Sequence, residues 1–289
     1  MSAEAALSVG FEAQALSQVM PALTLAARQI AASVLQGVHG RRRSGVGDQF
    51  WQYRPYGLGD SVAQIDWRRS ARASHIMLKE REWQAAQKVW MWLDMSPSMC
   101  FASQQNLRSK RDCALILGLA LADMLVRGGE HVGLIGRTPV QASRDMISRY
   151  AERLMHGDAA KLPPLQPLEA RAQVIWISDF LSPLEDIERC LRVMAGQNAR
   201  GILVLISDPQ EELFPFAGHV EFQAGEAQPK LRFARAEQMR EDYLRRRTAH
   251  IEALMQMARQ VGWVLTRHST QTSLAASLLG LCSELGLSA

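Results

Sequence analysis

The sequence lacks the features of a secreted, membrane-spanning or disulfide-bonded protein. Its N-terminus, Met1-Ser-Ala-Glu-Ala-Ala, has no basic segment followed by an apolar core, so it does not resemble a signal peptide. The longest apolar stretch, Cys113 to Val126, is interrupted by Asp123 and is too short to cross a bilayer. The four cysteines form no CxxC pair and none lies at zinc-ligand spacing from a histidine, which favours free or buried thiols. We therefore expect a cytoplasmic protein.

The motifs of common enzyme classes are also missing. The chain has no Gly-x-Ser-x-Gly elbow, no Walker loop and no His-Glu-x-x-His pair, and its seven histidines are scattered. A phosphoryl-transfer site of the haloacid-dehalogenase type needs a second aspartate two residues after Asp94, where Ser96 stands instead. The sequence predicts a non-catalytic protein, with a metal-dependent hydrolase as the less favoured alternative.

Positive charge is present only in small excess. The formal net charge is +4 over 289 residues, and the densest basic runs are Arg41 to Arg43 and Arg245 to Arg247. A nucleic-acid-binding protein usually carries a broader basic face, so these runs are interpreted as solvated surface. A basic nucleic-acid-binding module is kept as an alternative function.

What the sequence does contain is an alternation of apolar strands and amphipathic helices from Val89 onward. Continuous apolar strands separated by such helices predict an α/β fold, a doubly wound and mostly parallel sheet covered on both faces. The predicted strands are 89–93, 131–136, 173–177, 201–206 and 262–266, and residues 218–234 suggest a hairpin or irregular strands. The predicted helices are 108–127, 142–156, 184–195, 236–260 and 272–285.

Two further segments precede this pattern. Apolar residues at helical spacing predict a helix over residues 11–37, and residues 75–84 resemble a strand. We expect an N-terminal helical segment at 1–40, a small β-rich elaboration at 41–86 and the main α/β domain at 87–289.

Oxygen-bearing side chains follow the first strand of the main domain. Asp94, Ser96 and Ser98 stand at alternate positions where the chain leaves the carboxyl end of that strand, the usual ligand-binding edge of such a sheet. Asp179 and Asp208 follow two later strands in the same way, and Asp179 is preferred because its strand is expected beside the first. Carboxylate and hydroxyl oxygens suit Mg²⁺ or Mn²⁺. The sequence therefore predicts a metal site formed by Asp94, Ser96, Ser98 and Asp179.

A second group of uncommon residues stands close together in the segment before the main domain. These residues are Arg54, Tyr56, Gly59, Asp60, Asp66, Trp67, Arg68 and Arg72. With them, the sequence from about Gly45 to Met99 resembles the signature of the bacterial domain-of-unknown-function family 58, and Asp179-Phe180 resembles a later family position. Trp67 and Tyr56 are expected to be core or staple residues, and the signature aspartates are expected to form buried ion pairs with its arginines.

The resemblance implies a von Willebrand A-like fold with a metal-ion-dependent adhesion site. It also implies an adaptor or chaperone-like role with a MoxR-type AAA+ ATPase as partner. If the site binds a metal ion with an open coordination position, that ion would attract an acidic group from a bound protein. This chain departs from the family pattern in one respect. A complete adhesion site takes a threonine from the loop after the second strand, but residues 139–171 contain none and Thr138 follows that strand directly.

Overall fold

The computed structural model describes most of the chain after residue 23. The described residues are 22, 24–34, 50–57, 62, 65–81, 86–104, 108–143, 146–155, 160–222 and 230–286. Two compact units are present: Arg42–Ala86 forms one, and Met1–Arg41 together with Gln87–Ala289 forms the other. In the larger unit the first helix, α1, covers residues 24–34, which confirms the described part of the helix predicted at 11–37.

The smaller unit is built on an antiparallel strand pair. Strand β1 (Phe50–Pro55) pairs with strand β2 (Met77–Arg81), and the short helix α2 (Trp67–Ser70) lies between them in the chain. The side chain of Ser70 accepts a hydrogen bond from the backbone N–H of Met77 at 2.8 Å, which ties the helix to the second strand.

A six-stranded sheet forms the centre of the larger unit. Its strands are β3 (Lys88–Leu93), β4 (His131–Leu134), β5 (Thr138–Gln141), β6 (Gln173–Ser178), β7 (Arg200–Ser207) and β10 (Val264–Ser269). Their order is β10-β7-β6-β3-β4-β5, and all neighbours are parallel except β4 and β5. The predicted doubly wound, mostly parallel sheet is therefore confirmed, including the adjacency of β3 and β6.

Helices cover both faces of this sheet. They are α3 (Lys110–Arg127), α4 (Met146–Met155), α5 (Leu184–Gly196), α6 (Pro209–Leu213), α7 (Arg240–Gln260) and α8 (Leu274–Glu284). One face packs against α1, α3, α4 and α8, and the other packs against α5 and α7. No helix in the described ranges is long and apolar enough to cross a membrane.

The longest apolar stretch of the sequence lies in α3, which is buried on nearly every side. Its residues from Cys113 to Ala122 are all buried, because α3 contacts the sheet as well as α4 and α8. A helix that is apolar on all sides is typical of a protein core, so the position of α3 accounts for the apolar character of this stretch.

The predicted hairpin is also present, formed by β8 (Val220–Phe222) and β9 (Leu231–Phe233).

Two buried tryptophans in the core of the larger unit allow a matched test of indole hydrogen bonding. Trp263 donates its indole N–H to the carbonyl of Ala199 at 3.0 Å, whereas the indole N–H of Trp176 has no partner among the described residues. Leaving a buried donor unpaired costs free energy that phenylalanine would not incur. We expect both substitutions to reduce the free energy of unfolding. The reduction should be about 1–2 kcal/mol larger for Trp263→Phe than for Trp176→Phe. Denaturant unfolding of both variants checks this, and equal losses would contradict it.

Candidate functional site

Three aspartates meet at one edge of the large sheet. Because β3, β6 and β7 are adjacent and parallel, their carboxyl ends share an edge, and Asp94, Asp179 and Asp208 each follow one of these ends. All three side chains are buried. This geometry agrees with the expectation that the loops after these strands lie at the same edge.

The loop after β3 brings the predicted Asp94, Ser96 and Ser98 together. One Asp94 carboxylate oxygen, Oδ1, accepts the backbone N–H of Ser96 at 2.8 Å, and the other, Oδ2, accepts the hydroxyl of Ser178 at 2.7 Å. The hydroxyl oxygens of Ser96 and Ser98 are 3.1 Å apart. A short 3-10 helix, Pro97–Cys100, begins within the motif and turns the loop back on itself. The three predicted side chains therefore form one polar cluster.

Asp94 is held in this cluster by neutral donors, since no cation is among its hydrogen-bond partners in the described part of the chain. Its side chain is only 2% exposed, and burial raises its pKa above the ordinary aspartate value. The hydrogen bonds from Ser178 and Ser96 act in the opposite direction, and the nearby charge of Asp179 raises the pKa further. This loop therefore carries an acidic group that is costly to ionise and that would be stabilised by added positive charge.

Asp179 has a different partner, a buried lysine that the sequence patterns did not indicate. The Lys110 ammonium lies 2.9 Å from Asp179 Oδ2 and 2.5 Å from Glu211 Oε1, and the lysine side chain is fully buried. The second Asp179 oxygen, Oδ1, accepts the backbone N–H of Leu181 at 3.2 Å. Lys110 thus joins the loop after β6 to helix α6 after β7.

Burial and charge act in opposite directions on Lys110. Burial alone would lower its pKa, but the negative charges and hydrogen bonds of Asp179 and Glu211 outweigh that effect and raise the pKa. The ammonium therefore stays charged inside the protein. One sequence signal could have revealed it: Lys110 is the first residue of α3, directly after the capping Ser109, where the helix dipole favours an acidic side chain.

Asp208, the alternative ligand, serves as a helix cap. It accepts the backbone N–H of Gln210 at 2.9 Å and that of Ser103 at 3.1 Å, and it completes a capping box with Glu211 at the start of α6. Its oxygens therefore position the loop that follows β3 as well as the helix that carries Glu211.

The four predicted metal-binding residues do not fit one divalent ion as a set. Ser96 and Ser98 suit a small hard ion, because neighbouring ligand oxygens around Mg²⁺ lie about 2.9 Å apart. The Asp179 carboxylate, however, is already paired through its Oδ2 atom with the Lys110 ammonium at 2.9 Å, so its charge is not free to balance a divalent ion. Thr138 offers no replacement ligand, because its hydroxyl accepts the backbone N–H of Leu134 in the β4–β5 turn.

The family-signature residues in the smaller unit differ from expectation. Trp67 is 62% exposed and Tyr56 is 37% exposed, so neither side chain takes the core position that was one of the two roles expected for them. Asp66 accepts the backbone N–H of Arg69 and caps α2, and the exposed side chains of Arg68 and Arg72 rule out buried ion pairs for these two arginines. Sequence patterns indicate apolar character but not which apolar side chain a short helix presents to solvent. Gly59, Asp60 and the side chain of Arg54 lie outside the described residues.

Each arginine of the basic run of α7 lies near an acidic side chain. Arg245 and Arg246 both pair with Asp242, and Arg247 lies 3.9 Å from Glu212. An arginine engaged in this way contributes less to a phosphate-binding surface. The run Arg41 to Arg43 lies outside the described residues.

Comparison with known proteins gives a family match over most of the chain. The family model described as "Protein of unknown function DUF58" matches residues 52–253. The uncharacterized protein Mb1516 of Mycobacterium bovis is 27% identical over 253 residues, which cover 81% of this chain and 78% of that protein. The uncharacterized protein Rv1480 of Mycobacterium tuberculosis matches with the same identity and coverage.

Solved structures with a similar arrangement of elements have low sequence identity to this chain. The conserved hypothetical protein BatB from Bacteroides thetaiotaomicron is 15% identical, with a TM-score of 0.44 over 70% of this chain and 100% of that chain. An aerotolerance-related membrane protein from Bacteroides fragilis gives the same identity and coverage with a TM-score of 0.43. The SpRpn10 VWA domain is 10% identical, with a TM-score of 0.35 over 68% of this chain and 95% of that chain.

Proposed function

The chain belongs to the DUF58 family, whose function is unknown, and we propose that it is a non-catalytic adaptor that binds a partner protein at the carboxyl edge of its sheet. The observation that carries this proposal is the group of polar side chains at that edge, formed by the buried Asp94, Ser96, Asp179 and Lys110 and the partly buried Ser98. It lies at the edge where von Willebrand A-like and other doubly wound sheets present their binding loops.

Exposed apolar side chains on the same loops support a protein partner. Phe101 is 39% exposed and directly follows the 3-10 helix of the Asp94 loop, and Leu181, 63% exposed, is two residues after Asp179. Leu213, 66% exposed, ends the helix that carries Glu211. Apolar anchors beside ordered polar groups are typical of the contact surfaces of protein complexes.

The described chemistry also favours binding over catalysis. At the sheet edge the hydroxyls of Ser96 and Ser98 bond to one another, and His250 contacts the carbonyl of Phe180. A serine–histidine pair occurs elsewhere, where Ser277 Oγ lies 2.7 Å from His268 Nδ1. Within the described part of the chain, the second nitrogen of His268 is buried without a partner, so no carboxylate orients this pair as a catalytic triad would require.

We propose a MoxR-type AAA+ ATPase as the partner, following the family resemblance, and a cytoplasmic location for the complex. Mg²⁺ or Mn²⁺ at Asp94, Ser96 and Ser98 stays a prediction of the sequence, as does the acidic partner group that such an ion would attract. The pairing of Asp179 with Lys110 argues against Asp179 as a further ligand of that ion. The nucleic-acid alternative predicts instead that the chain binds DNA or RNA at low salt and loses this binding steeply as salt rises.

Binding of the purified ATPase to the immobilised chain tests this proposal. We expect Leu181→Ser and Leu213→Ser each to weaken binding by about tenfold, because each removes an apolar anchor from the surface. Leu279→Ser is the matched control, since Leu279 is 46% exposed on α8, a helix of the sheet face rather than a loop of its edge, and should bind as the wild type does. Unchanged binding by both edge variants, or an equal loss in the control, would contradict the proposed surface.

A further inference from the structure

We propose that the Lys110 ammonium is the permanent cation of this sheet edge. It would supply the positive charge that a divalent metal ion supplies in the adhesion sites that the sequence resembles. The proposal follows from the poor fit of Asp94, Ser96, Ser98 and Asp179 to one ion. It concerns the isolated chain and does not depend on which partner binds.

The position of Lys110 makes its positive charge energetically unfavourable in the absence of acidic partners. The side chain is fully buried, and it occupies the N-terminal turn of an 18-residue helix, where the dipole disfavours a cation. Only specific acidic partners offset both penalties. Asp179 and Glu211 provide them, at 2.9 Å and 2.5 Å from the ammonium nitrogen.

The same lysine connects three segments of the sheet edge. Its ammonium bonds Asp179 after β6 and Glu211 in α6, and its backbone N–H donates to the carbonyl of Phe101 at 3.2 Å, next to the Asp94 loop. The ring of Phe101 also lies within 6.0 Å of the ammonium nitrogen. A metal ion holds several loops together because each loop contributes a ligand to it. Lys110 holds these loops together in the same way, through a charge that is part of its own side chain.

A built-in cation has a functional consequence. The charge of Lys110 cannot be removed by a chelator, so the arrangement of the three loops should not depend on the supply of divalent ions. Asp94 accepts only neutral donors among the described residues, and the charge of its neighbour Asp179 is already paired with the Lys110 ammonium at 2.9 Å. We therefore expect the wild-type edge to be organised without a metal.

Thermal unfolding of the isolated chain tests the proposal. The Tm of the wild type in EDTA and in excess Mg²⁺ or Mn²⁺ should agree within about 1 °C, since an ion that does not bind the folded state cannot stabilise it. Lys110→Met should melt roughly 6–20 °C lower in EDTA, because the buried Asp179 carboxylate and the partly buried Glu211 carboxylate lose their cation. Excess Mg²⁺ or Mn²⁺ should then recover several degrees of this loss, since the Asp179 and Glu211 carboxylates would be free to bind a metal ion in place of the ammonium. Lys161→Met, which alters an exposed lysine, is the control and should show neither effect.

Two results would overturn the proposal. A wild-type Tm that rises by more than about 5 °C with either ion would show that the native edge binds metal. A Lys110→Met variant that is destabilised, and whose Tm does not rise with either ion, would show that Lys110 only forms a structural ion pair and does not take the place of a metal ion. If Lys110→Met fails to fold, Lys110→Gln takes its place, and the wild-type comparison still decides whether the native edge binds a metal.

Discussion

Lys110→Met should reduce the free energy of unfolding by about 3–5 kcal/mol, the usual cost of removing one partner from a buried ion pair. The loss arises because Asp179, which is 5% exposed, and the partly buried Glu211 would lose the cation with which both are paired. Urea unfolding at neutral pH measures the difference directly.

Two further variants separate this effect from a general loss of packing. Neutralising all three groups in Lys110→Met/Asp179→Asn/Glu211→Gln should recover most of the stability, because no uncompensated charge remains. Lys88→Met should cost less than about 1 kcal/mol, since its pair with Glu169 is a surface pair, 44% and 38% exposed. A Lys110→Met variant as stable as Lys88→Met would contradict the assigned role of the buried lysine.

Protonation of His268 should make the protein less stable as the solution becomes acidic. His268 is 2% exposed, and burial lowers its pKa from 6.5 to about 4. Between these two values the unfolded chain binds a proton that the folded chain does not, so stability is lost as the pH falls through this window. The contribution reaches about 3 kcal/mol at the acidic end.

Denaturant unfolding at several pH values tests this expectation. His268→Asn keeps a polar side chain but removes the titrating ring, so the variant should lose less stability than the wild type between pH 6.5 and about 4. Carboxylates titrate in both proteins and cancel in the comparison. Parallel stability curves for the two proteins would show that His268 does not remain neutral in the fold.

Most of the fold can be predicted from the sequence because its central strands are uniformly apolar. Strands buried on both faces, such as β3 and β6, have no polar alternation and stand out between amphipathic helices. Strand β5 escapes prediction because its four residues are exposed or only partly buried, include Pro139, and lie at the sheet margin. Helix α6 escapes prediction because its five residues are too few to show helical periodicity.

The candidate site can be predicted only in part. Asp94, Ser96 and Asp179 stand out because residues that follow parallel strands collect at one edge of the sheet. Lys110 does not stand out in the sequence, because lysine is rarely buried and its partner Glu211 lies 101 positions later in the chain. The metal prediction assigns Asp179 to a site with Asp94, whereas in the fold its Oδ2 atom contacts Lys110. The only local sign of Lys110 is a basic residue in the first turn of a helix, and that sign does not identify its distant acidic partners.

Electron paramagnetic resonance of Mn²⁺ mixed with the metal-free wild-type chain tests the central claim most directly, that the cation of the sheet edge belongs to the protein itself. Our account predicts that the six-line spectrum of aqueous Mn²⁺ keeps its full intensity when the wild-type protein is added, and loses intensity with Lys110→Met. A stoichiometric loss of the aqueous signal in the wild type, abolished by Asp94→Ala, would show that a metal ion occupies this edge and would contradict the account.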